Sequence, residues 1–431
     1  MKFQVPRGTR DILPPDSERW AAIETQARTI LGSYGYREVR TPIFESTDLF
    51  VRSVGESTDI VRKELYTFDD RKGRSLTLRP EGTAPLVRAY LESAGLRQEN
   101  PGRLFYLGPM FRYERPQAGR YRQFWQIGAE LLGAAEPAAD AEMIDLFVAI
   151  LRAVGLPTVK VLVNSLGDDA CRPVYRDRVR AYFEGHVDRL CTDCRERLTT
   201  NPLRILDCKV PACQPLVADA PGVLDSLCDA CRDHFAAVQA ALRALGIDVD
   251  VAPRLVRGLD YYTRTVFEVH VATLGAQNAV GGGGRYDKLV GEFGGPDAPS
   301  IGFSIGMDRL VMATGKPLPA GGPPEPDVYV VARAPGAAVE ALAVARALRG
   351  VGGPGAATPL RVMADVQARS ASSQMKVASR AGAKRVVFVP PDGDGYAVRD
   401  MIGGNDEMKQ PDLDALRAWL RARRAGSTEV A

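Results

Sequence analysis

Charged and aromatic residues that could bind a phosphorylated substrate are concentrated at residues 108–130. Apolar alternation at both ends of this stretch, with a proline and a glycine between, predicts a strand, a basic loop and a returning strand. Arginines in such a loop can hold a phosphate through several donors in a fixed fork. Period-two spacing puts Phe124, Gln126 and Glu130 on one face of the returning strand. An arginine-rich surface hairpin is the alternative, but two polar residues on a face that should be buried favour a binding site.

A second candidate segment, residues 257–262, enters a strand predicted at 266–271. Arg257 brings a cation to this segment, and two adjacent tyrosines end it. Tyr261 and Tyr262 would point to opposite sides of an extended chain, and one of them could simply pack in the core. The segment alone therefore leaves a structural reading open.

Two glycine-containing segments follow. Four glycines at 281–284 indicate close backbone approach or a tight turn. They do not form a phosphate loop of the Walker type, because the sequence contains no Gly-x-x-x-x-Gly-Lys-Ser/Thr pattern.

Residues 301–312 predict a short strand that turns at a glycine into an apolar helix, with Arg309 near the start of the helix. A lone arginine at such a place is more often a surface residue than a functional one.

The elements that position these residues belong to a chain of 431 residues, which predicts two or three domains. Its hydrophobic content of 45% and charged content of 25% are typical of globular proteins. No apolar run approaches the roughly 20 residues that span a bilayer, and the N-terminus resembles no secretory signal or presequence. We therefore expect a cytoplasmic protein. The net charge of +3 does not demand a nucleic-acid partner, although five arginines at 103–122 and six basic residues at 361–385 create local positive charge.

Proline and glycine at 316–326 predict an interdomain linker. Before it, irregularly spaced strands rich in Gly and Thr favour an antiparallel α+β domain. Within that domain, residues from about 165 to 235 hold all seven cysteines and little strand pattern, so we expect an inserted subdomain. After the linker, alternation predicts an α/β domain with a largely parallel sheet. Its strands are expected at 328–332, 360–364 and 385–389, and its helices at 337–348 and 371–381.

Taken together, these segments resemble those of histidyl-tRNA synthetases, and the resemblance covers nearly the whole chain. Residues 41–45, 112–130 and 306–309 resemble motifs 1, 2 and 3 of the class II synthetases. Residues 257–262 and 283–287 resemble the two signatures that are specific for histidine. The match is therefore to the synthetases of one amino acid.

The resemblance implies an α+β fold. A class II antiparallel-sheet catalytic domain would occupy residues 1–318 with the inserted helical subdomain at about 165–235, followed by a linker at 319–327 and an α/β anticodon-binding domain at 328–425. The implied enzyme is a ligase that activates L-histidine with ATP, in the presence of Mg²⁺, and transfers it to tRNA(His). The implied assembly is a homodimer formed through the motif 1 region around Pro42.

The resemblance also implies residue roles by position. The residues implied to bind histidine are Glu81, Gly82, Thr83, Arg112, Gln126, Glu130, Arg257, Tyr261 and Tyr262. Those implied to bind ATP are Arg112, Glu114, Arg120, Phe124 and Arg309, with the adenine between Phe124 and Arg309. Arg257 and Arg112 are the implied catalytic residues, and Gln117 is the implied contact to the tRNA acceptor end. Residues 390–395 lack the acidic turn expected in the last domain, so anticodon contacts are not assigned.

Two other functions compete with this one. A regulatory paralogue of histidine biosynthesis would keep the fold without aminoacylation, but such paralogues typically lack the anticodon domain and have eroded histidine signatures. A generic ATP-dependent nucleic-acid binding protein does not explain Glu130 and Tyr262 together. The aminoacylating enzyme is therefore favoured.

The cysteines leave two readings open. Cys191-x-x-Cys194 and Cys228-x-x-Cys231 have zinc-site spacing, with Cys208 and Cys213 between the two pairs. Against zinc, the gap is longer than in the usual ribbon, and free thiols are ordinary in the cytosol. The resembled family is also not generally described as requiring structural zinc. We therefore predict no metal ligands here. His186 and His234 flank the cysteines and are predicted to be packing or surface residues.

Overall fold

The computed structural model describes residues 3–56, 58–99, 101–117, 119–208, 210–275, 278–315, 325–334, 337–349, 360–365, 369–389, 395–402 and 407–425. The chain divides into two compact units, Met1–Ala320 and Gly321–Ala431, which are described separately below. Most of the linker predicted at 319–327 lies outside the described residues. Among those residues, no helix is both long enough and apolar enough to cross a membrane.

The described strands of the first unit form a large sheet and a small one. In chain order they are β1 (Arg37–Glu38), β2 (Phe44–Ser46), β3 (Tyr66–Asp69), β4 (Ser75–Leu78), β5 (Gly102–Phe111), β6 (Gln123–Leu132), β7 (Lys160–Ser165), β8 (Val249–Val251), β9 (Thr263–His270), β10 (Ala279–Arg285) and β11 (Ser300–Gly306). The large sheet has the order β1-β5-β6-β11-β10-β9-β7-β8, and the small one β2-β4-β3. In the large sheet only the outermost pairs, β1 with β5 and β7 with β8, are parallel. The predicted antiparallel sheet is confirmed.

The helices of the first unit pack against both faces of the large sheet and within an insert. In chain order they are α1 (Asp16–Ser33), α2 (Thr47–Val54), α3 (Thr83–Glu92), α4 (Ala94–Arg97), α5 (Pro137–Ala153), α6 (Arg172–Glu184), α7 (Thr192–Thr200), α8 (Gln214–Asp219), α9 (Asp229–Ala244), α10 (Leu289–Glu292) and α11 (Met307–Thr314). Ile127 and Ala129 of β6 share a buried apolar cluster with α5 residues such as Phe147. Alternation along β6 turns the neighbouring Gln126 and Glu130 to the opposite face, where Leu132 packs with residues of α3 such as Leu86.

The hairpin of β5 and β6 follows the predicted pattern of strand, basic loop and strand. The two strands pair from Gly102 with Leu132 to Phe111 with Gln123. The four glycines lie inside β10, between β9 and β11, rather than in a turn. A Cβ at Gly283 would overlap the backbone oxygen of Gly302 on β11, so close backbone approach is the correct explanation of this run.

The helices α6, α7 and α8 and the start of α9 form an insert between β7 and β8 with an apolar core of its own, while the rest of α9 packs in the main core of the first unit. The predicted inserted helical subdomain is therefore confirmed as part of the fold. The two Cys-x-x-Cys pairs do not meet there, because Cys191 and Cys194 join Cys208 and Cys213, while Cys228 and Cys231 join Cys171 and Asp168. His186 bonds its own helix at the Tyr182 carbonyl. His234 is buried 3.7 Å from Asp140, so neither histidine joins a cysteine cluster.

The second unit is the predicted α/β domain. Its described elements are β12 (Val328–Ala332), α12 (Ala338–Arg349), β13 (Val362–Ala364), α13 (Ala371–Arg380), β14 (Arg385–Val389), β15 (Tyr396–Asp400), β16 (Glu407–Gln410) and α14 (Leu413–Ala425). The sheet order is β13-β12-β14-β15-β16. The first three strands are parallel, as predicted. The strands β15 and β16, which were not predicted, add an antiparallel edge. These two strands are short and polar, so they lack the apolar run of a central strand. The segment 390–395, which lacks the acidic turn expected in this domain, lies almost entirely outside the described residues.

Candidate functional site

The face of the large sheet that carries Gln126 also carries a polar cleft with about 560 Å³ of empty space, part of it open to solvent. The start of α3 closes one side of the cleft, and residues 257–262 close another. Its walls combine acidic, basic and phenolic groups, a composition suited to a small zwitterionic ligand. The lining residues are Ile60, Glu81, Thr83, Tyr106, Arg112, Gln126, Arg257, Gly258, Leu259, Tyr261, Tyr262, Tyr286, Gly302, Phe303 and Ser304.

Glu81 is a buried carboxylate at the N-terminus of α3. It accepts hydrogen bonds from the backbone N–H groups of Thr83 at 2.6 Å and Ala84 at 3.0 Å, which are unsatisfied by the helix itself. Burial nevertheless raises the pKa of Glu81. Gly82 permits this turn to pack under an aromatic ring, because a Cβ there would overlap the ring of Tyr106. Glu81 and Gly82, two of the residues implied to bind histidine, thus have definite structural reasons to be Glu and Gly.

Glu130 is completely buried beside the cleft. The Thr83 hydroxyl donates to its Oε1 at 2.7 Å, and the Tyr286 hydroxyl donates to its Oε2. Burial raises the pKa of Glu130 to about 8, although both hydrogen bonds favour the charged form. On the neighbouring strand, a Cβ at Gly302 would overlap the Glu130 carboxylate. The carboxylate is therefore fixed in position at the cleft wall by its neighbours.

Tyr261 and Tyr262 both line the cleft and are both buried. The backbone turns at Asp260 and Tyr261 before it enters β9, so the two rings do not point to opposite sides as they would in an extended chain. Their centroids lie 4.7 Å apart with the ring planes tilted by 54°. Burial raises the pKa of Tyr262, which keeps its hydroxyl protonated and able to donate a hydrogen bond.

Arg257 places its guanidinium at the cleft, with Nη1 2.7 Å from Glu268 Oε2 on β9. The other oxygen of Glu268 lies 2.6 Å from His270 Nε2. Gln126 of β6 lines the same cleft, and its Nε2 donates weakly to the Ser304 hydroxyl at 3.5 Å. The arginine, from the loop before β9, and the amide, from β6, therefore reach one cavity.

Arg112 stands where the hairpin leaves β5. Its Nε donates to the Pro80 carbonyl at 3.0 Å, and its guanidinium lies 5.4 Å from the centre of the Phe124 ring. Glu114 lies between two arginines, 3.8 Å from Arg112 and 3.6 Å from Arg120. These positive charges extend from the cleft into the loop.

Arg309 lies in the first turn of α11, which follows β11 directly, as the sequence predicts for a strand turning into a helix. Its Nε donates to the Ala279 carbonyl at 2.6 Å, and burial lowers its pKa. The hairpin loop passes over this arginine, because a Cβ at Gly119 would lie 3.5 Å from Arg309 Cγ. Gln117 is exposed at the tip of the same loop, where its backbone and that of Arg120 hydrogen-bond to each other.

Some cleft residues were missed in the sequence. Tyr106 and Tyr286 are buried tyrosines of the cleft wall, and only Tyr286 stands in a segment that the sequence singles out. Arg285 stands beside it and is fully buried in an ion pair with Asp140 and a second one with Asp287 at 3.2 Å. Arg285 therefore stabilises the strand and does not line the cleft.

Comparisons with known proteins agree on one family. A family model described as "Histidyl-tRNA synthetase" matches residues 8–168 and 213–310. The chain is 48% identical to the histidine–tRNA ligase of Syntrophotalea carbinolica, over 93% of this chain and 94% of that protein. It is 50% identical to that of Halothermothrix orenii, over 90% and 91%. The crystal structure of apo S. aureus histidyl-tRNA synthetase is similar with a TM-score of 0.79 and 35% identity, covering 97% of this chain and all of that one. The family match leaves out residues 169–212, which carry four of the seven cysteines.

Proposed function

Because the chain belongs to the histidyl-tRNA synthetase family, we propose that it activates L-histidine with ATP and transfers the histidyl group to the 3′ end of tRNA(His). The observation that carries this proposal is that the hydroxyls of Thr83 and Tyr286 fix the buried Glu130 carboxylate. Both of these residues line the same cleft as Tyr262 and Arg257. A carboxylate and a phenol address the two ring nitrogens of an imidazole, and an amino acid without those nitrogens leaves them unpaired. The cation at the opposite wall then faces the reacting end of the substrate.

The amino acid is held through three groups of residues. Glu81 receives the α-ammonium group, with Gly82 and Thr83 allowing close approach of the backbone. The Glu130 carboxylate and the Tyr262 hydroxyl read the imidazole, and Tyr261 packs against Tyr262. The carboxylate of histidine lies toward the remaining polar side chains of the cleft, which are Gln126, Arg112 and Arg257.

ATP binds over the hairpin. Phe124 stacks on one face of the adenine and the Arg309 guanidinium covers the other. The triphosphate lies along Arg112 and Arg120. A carboxylate oxygen of histidine attacks the α-phosphorus, the bond from that phosphorus to the oxygen bridging the β-phosphate breaks, and pyrophosphate leaves. Catalysis of this step consists of positioning and of charge stabilisation, for which Arg257 and Arg112 supply fixed cations.

The acidic residues of this region fit a role for Mg²⁺ with the nucleotide. Mg²⁺ usually binds one or two carboxylates together with substrate phosphates. Glu114 lies between two arginines. The pKa of Glu64 is raised mainly by burial and, to a smaller extent, by the negative charge of Glu114. Those two carboxylates are the residues that would hold the ion, which neutralises phosphate charge when bound.

Two surfaces serve the tRNA. Gln117 and the exposed hairpin tip meet the acceptor end, whose terminal adenosine hydroxyl takes the histidyl group and releases AMP. In the second unit, Lys376 and Arg380 are exposed and four residues apart on α13, which places two cations on one helix face for backbone phosphates. We assign this unit to the anticodon side of the tRNA, with the domain limits 1–318, 319–327 and 328–425 as expected from the sequence.

Histidine-dependent exchange of labelled pyrophosphate into ATP tests the proposed activation directly, and charging of tRNA(His) tests the transfer. The pure chain is expected to catalyse both, and to exchange with histidine but not with other amino acids. A regulatory paralogue of histidine biosynthesis would bind histidine without either reaction. That alternative is less well supported, because the relatives that match along nine tenths of the chain are named as ligases. Absence of exchange with all reagents active would contradict the proposal.

Replacing Arg309 with alanine is expected to raise the KM for ATP by about 2–30-fold, because a cation stacked on an aromatic base contributes roughly 0.5–2 kcal/mol. The KM for histidine should change little, since Arg309 is not a lining residue of the cleft. Initial rates of pyrophosphate exchange, with each substrate varied in turn, separate the two constants. An equal rise in both would contradict the assignment of Arg309 to the adenine.

The small sheet offers a surface for dimerisation through the motif 1 region around Pro42. Phe44 on β2 and Phe68 on β3 are 48% and 45% exposed, and their rings lie 6.4 Å apart. Ile43 beside them is also exposed. Neighbouring exposed apolar side chains of this kind are typical of protein interfaces, and we assign them to the homodimer.

Phe44→Glu is accordingly expected to weaken the dimer by about 100-fold or more, since each subunit would bury an unpaired carboxylate in the interface. Sedimentation equilibrium over a concentration series measures the dissociation constant. Val174→Glu is the matched control, because Val174 is equally apolar and exposed but lies on α6 of the insert. An unchanged dissociation constant for Phe44→Glu would place the interface elsewhere.

A cytoplasmic location completes the proposal, since charging of tRNA for protein synthesis takes place there.

A further inference from the structure

All seven cysteines of the chain lie in two groups of four metal-ligand residues within or beside the helical insert. The first group, cluster 1, consists of Cys191, Cys194, Cys208 and Cys213. The second, cluster 2, consists of Asp168, Cys171, Cys228 and Cys231. In each cluster the four ligand atoms all lie within 4.8 Å of one another. We propose that the insert binds two structural zinc ions, one in each cluster.

The sulfur spacing in cluster 1 fits a metal ion and not a disulfide. Cys191 Sγ and Cys208 Sγ are 3.9 Å apart. Four thiolates around zinc at about 2.3 Å in a tetrahedron lie about 3.8 Å from each other, whereas a disulfide holds its sulfurs at about 2.05 Å. All seven cysteines are free thiols in the structure. Three of the four sulfurs of cluster 1 belong to buried residues, so the ligands form a closed set, as in structural zinc sites.

Backbone donors surround the sulfurs of cluster 1. The N–H of Cys191 points at Cys213 Sγ at 3.3 Å, and the N–H of Val210 points at Cys208 Sγ at 3.4 Å. Donors of this kind stabilise thiolate ligands and fix their orientation around a metal. Cys191 directly precedes α7 and Cys194 lies in its first turn, so that one helix start presents both sulfurs on the same side.

Cluster 2 repeats this arrangement at a second helix start. Cys228 directly precedes α9, and Cys231 lies in its first turn. Asp168 Oδ1 is 3.6 Å from Cys171 Sγ and 3.7 Å from Cys228 Sγ. Its Oδ2 faces Arg264 Nη2 at 3.3 Å. One carboxylate oxygen thus points to the sulfurs while the other is oriented by a cation, which is the usual arrangement of a metal-bound carboxylate and its supporting residue.

The size of the insert explains a need for metal. Among the residues that the structure describes, its core contains sixteen buried residues, and five of them are cysteines. A core of this size, built from short helices, rarely supplies enough stability by apolar packing alone, and small domains commonly add a metal or disulfides. Zinc suits sets rich in thiolates with tetrahedral spacing, and a Cys₃Asp set remains within the nitrogen, sulfur and oxygen ligands that it accepts.

A residue between the cysteines of cluster 1 connects the insert to the cleft. Arg204, between Cys194 and Cys208 in sequence, donates to the Gly258 carbonyl at 2.8 Å and to Asp260 Oδ1 at 3.2 Å. The two zinc ions would therefore stabilise the part of the insert that positions residues 257–262. This role is structural, because neither cluster lines the cleft.

Metal analysis of the full-length chain tests the proposal without any measurement of activity. The protein is produced with zinc in the medium and purified without metal-affinity resin or chelator. We expect elemental analysis by mass spectrometry to find two zinc ions per chain. Cys208→Ser and Cys228→Ser should each reduce the content to one. Thr192→Ser and Ala230→Ser, exposed changes within the same Cys-x-x-Cys pairs, should retain both.

A zinc content near zero in the unmodified chain, with seven thiols titrating, would overturn the proposal, as would disulfides or stoichiometric iron. One zinc that is lost in Cys208→Ser but kept in Cys228→Ser would overturn the assignment of cluster 2. If the serine variants do not fold, cobalt substitution of the unmodified chain still decides the matter. Tetrahedral thiolate coordination gives intense visible absorption for two cobalt ions per chain, and its absence would contradict both sites.

Discussion

Arg257→Ala is expected to slow histidine-dependent pyrophosphate exchange by about 10²–10³-fold, the usual loss when one group that stabilises transition-state charge is removed. The fold should survive, because the guanidinium lines the open cleft and is not part of an apolar core. Arg257→Lys should recover only part of the rate, since an ammonium is a point charge without the planar fork. The exchange rate at saturating histidine and ATP measures the effect, and thermal unfolding monitors the fold.

The ion pair of Arg257 with Glu268 requires a second variant, because truncating the arginine also removes a partner of that carboxylate. Glu268 keeps His270 as a neighbour. The double variant Arg257→Ala with Glu268→Gln removes the carboxylate charge as well. If the double variant is as slow as Arg257→Ala, the lost cation is responsible. Recovery of near-normal exchange would show that an uncompensated carboxylate caused the defect. Arg254→Ala, an exposed arginine three residues earlier, should leave the rate unchanged.

The fold was predictable where the pattern of apolar residues along the chain indicates a single kind of secondary structure. The strand at 328–332 and the strand at 385–389 are continuous apolar runs with β-branched residues, and the structure has them with the same bounds. The hairpin of β5 and β6 was predictable because alternation on both sides of a polar loop leaves one arrangement. Short polar edge strands such as β15 lack either signal, since the pairing partner and not the local sequence determines them.

The candidate site was predictable in its residues and not in its geometry. The sequence identifies Glu130 and Tyr262 through the segments that hold them, but it does not reveal that Thr83 and Tyr286 occupy both oxygens of the carboxylate. Such contacts join residues 47 and 156 positions apart in the chain. The cysteines illustrate the same limit. From their spacing we predicted no metal ligands. The spacing does not reveal that the packing of helix starts distributes the two Cys-x-x-Cys pairs between two clusters of possible ligands.

Glu130→Gln is expected to reduce kcat/KM for histidine by about 10³-fold or more, since a site built to hydrogen-bond its substrate loses roughly 10⁴–10⁵ in discrimination when that pairing fails. The amide is isosteric, but it has one acceptor oxygen where Thr83 and Tyr286 now address two. One of those hydroxyls would face an NH₂ donor. KM for ATP should change far less, because the proposed nucleotide contacts lie over the hairpin. Exchange with histidine and with other amino acids in turn measures the selectivity.

The pH profile of kcat/KM provides a test of the same residue that a merely structural defect would not reproduce. In the free enzyme the pKa of Glu130 is raised to about 8 by burial. Below that pH the group is largely protonated, and above it the carboxylate is available to accept an imidazole N–H. Because kcat/KM reports ionisations of free enzyme and free substrate, ionisation of Glu130 should raise it near pH 8, above the step at about pH 6.5 that belongs to the imidazole of histidine. Loss of the proton from the α-ammonium group of histidine lowers kcat/KM at high pH in the unmodified enzyme and in the variant alike, so the comparison with Glu130→Gln isolates the carboxylate. In Glu130→Gln the upper step should disappear while the lower one remains. If the upper step persists in that variant, another group is responsible for it, and the carboxylate does not read the imidazole.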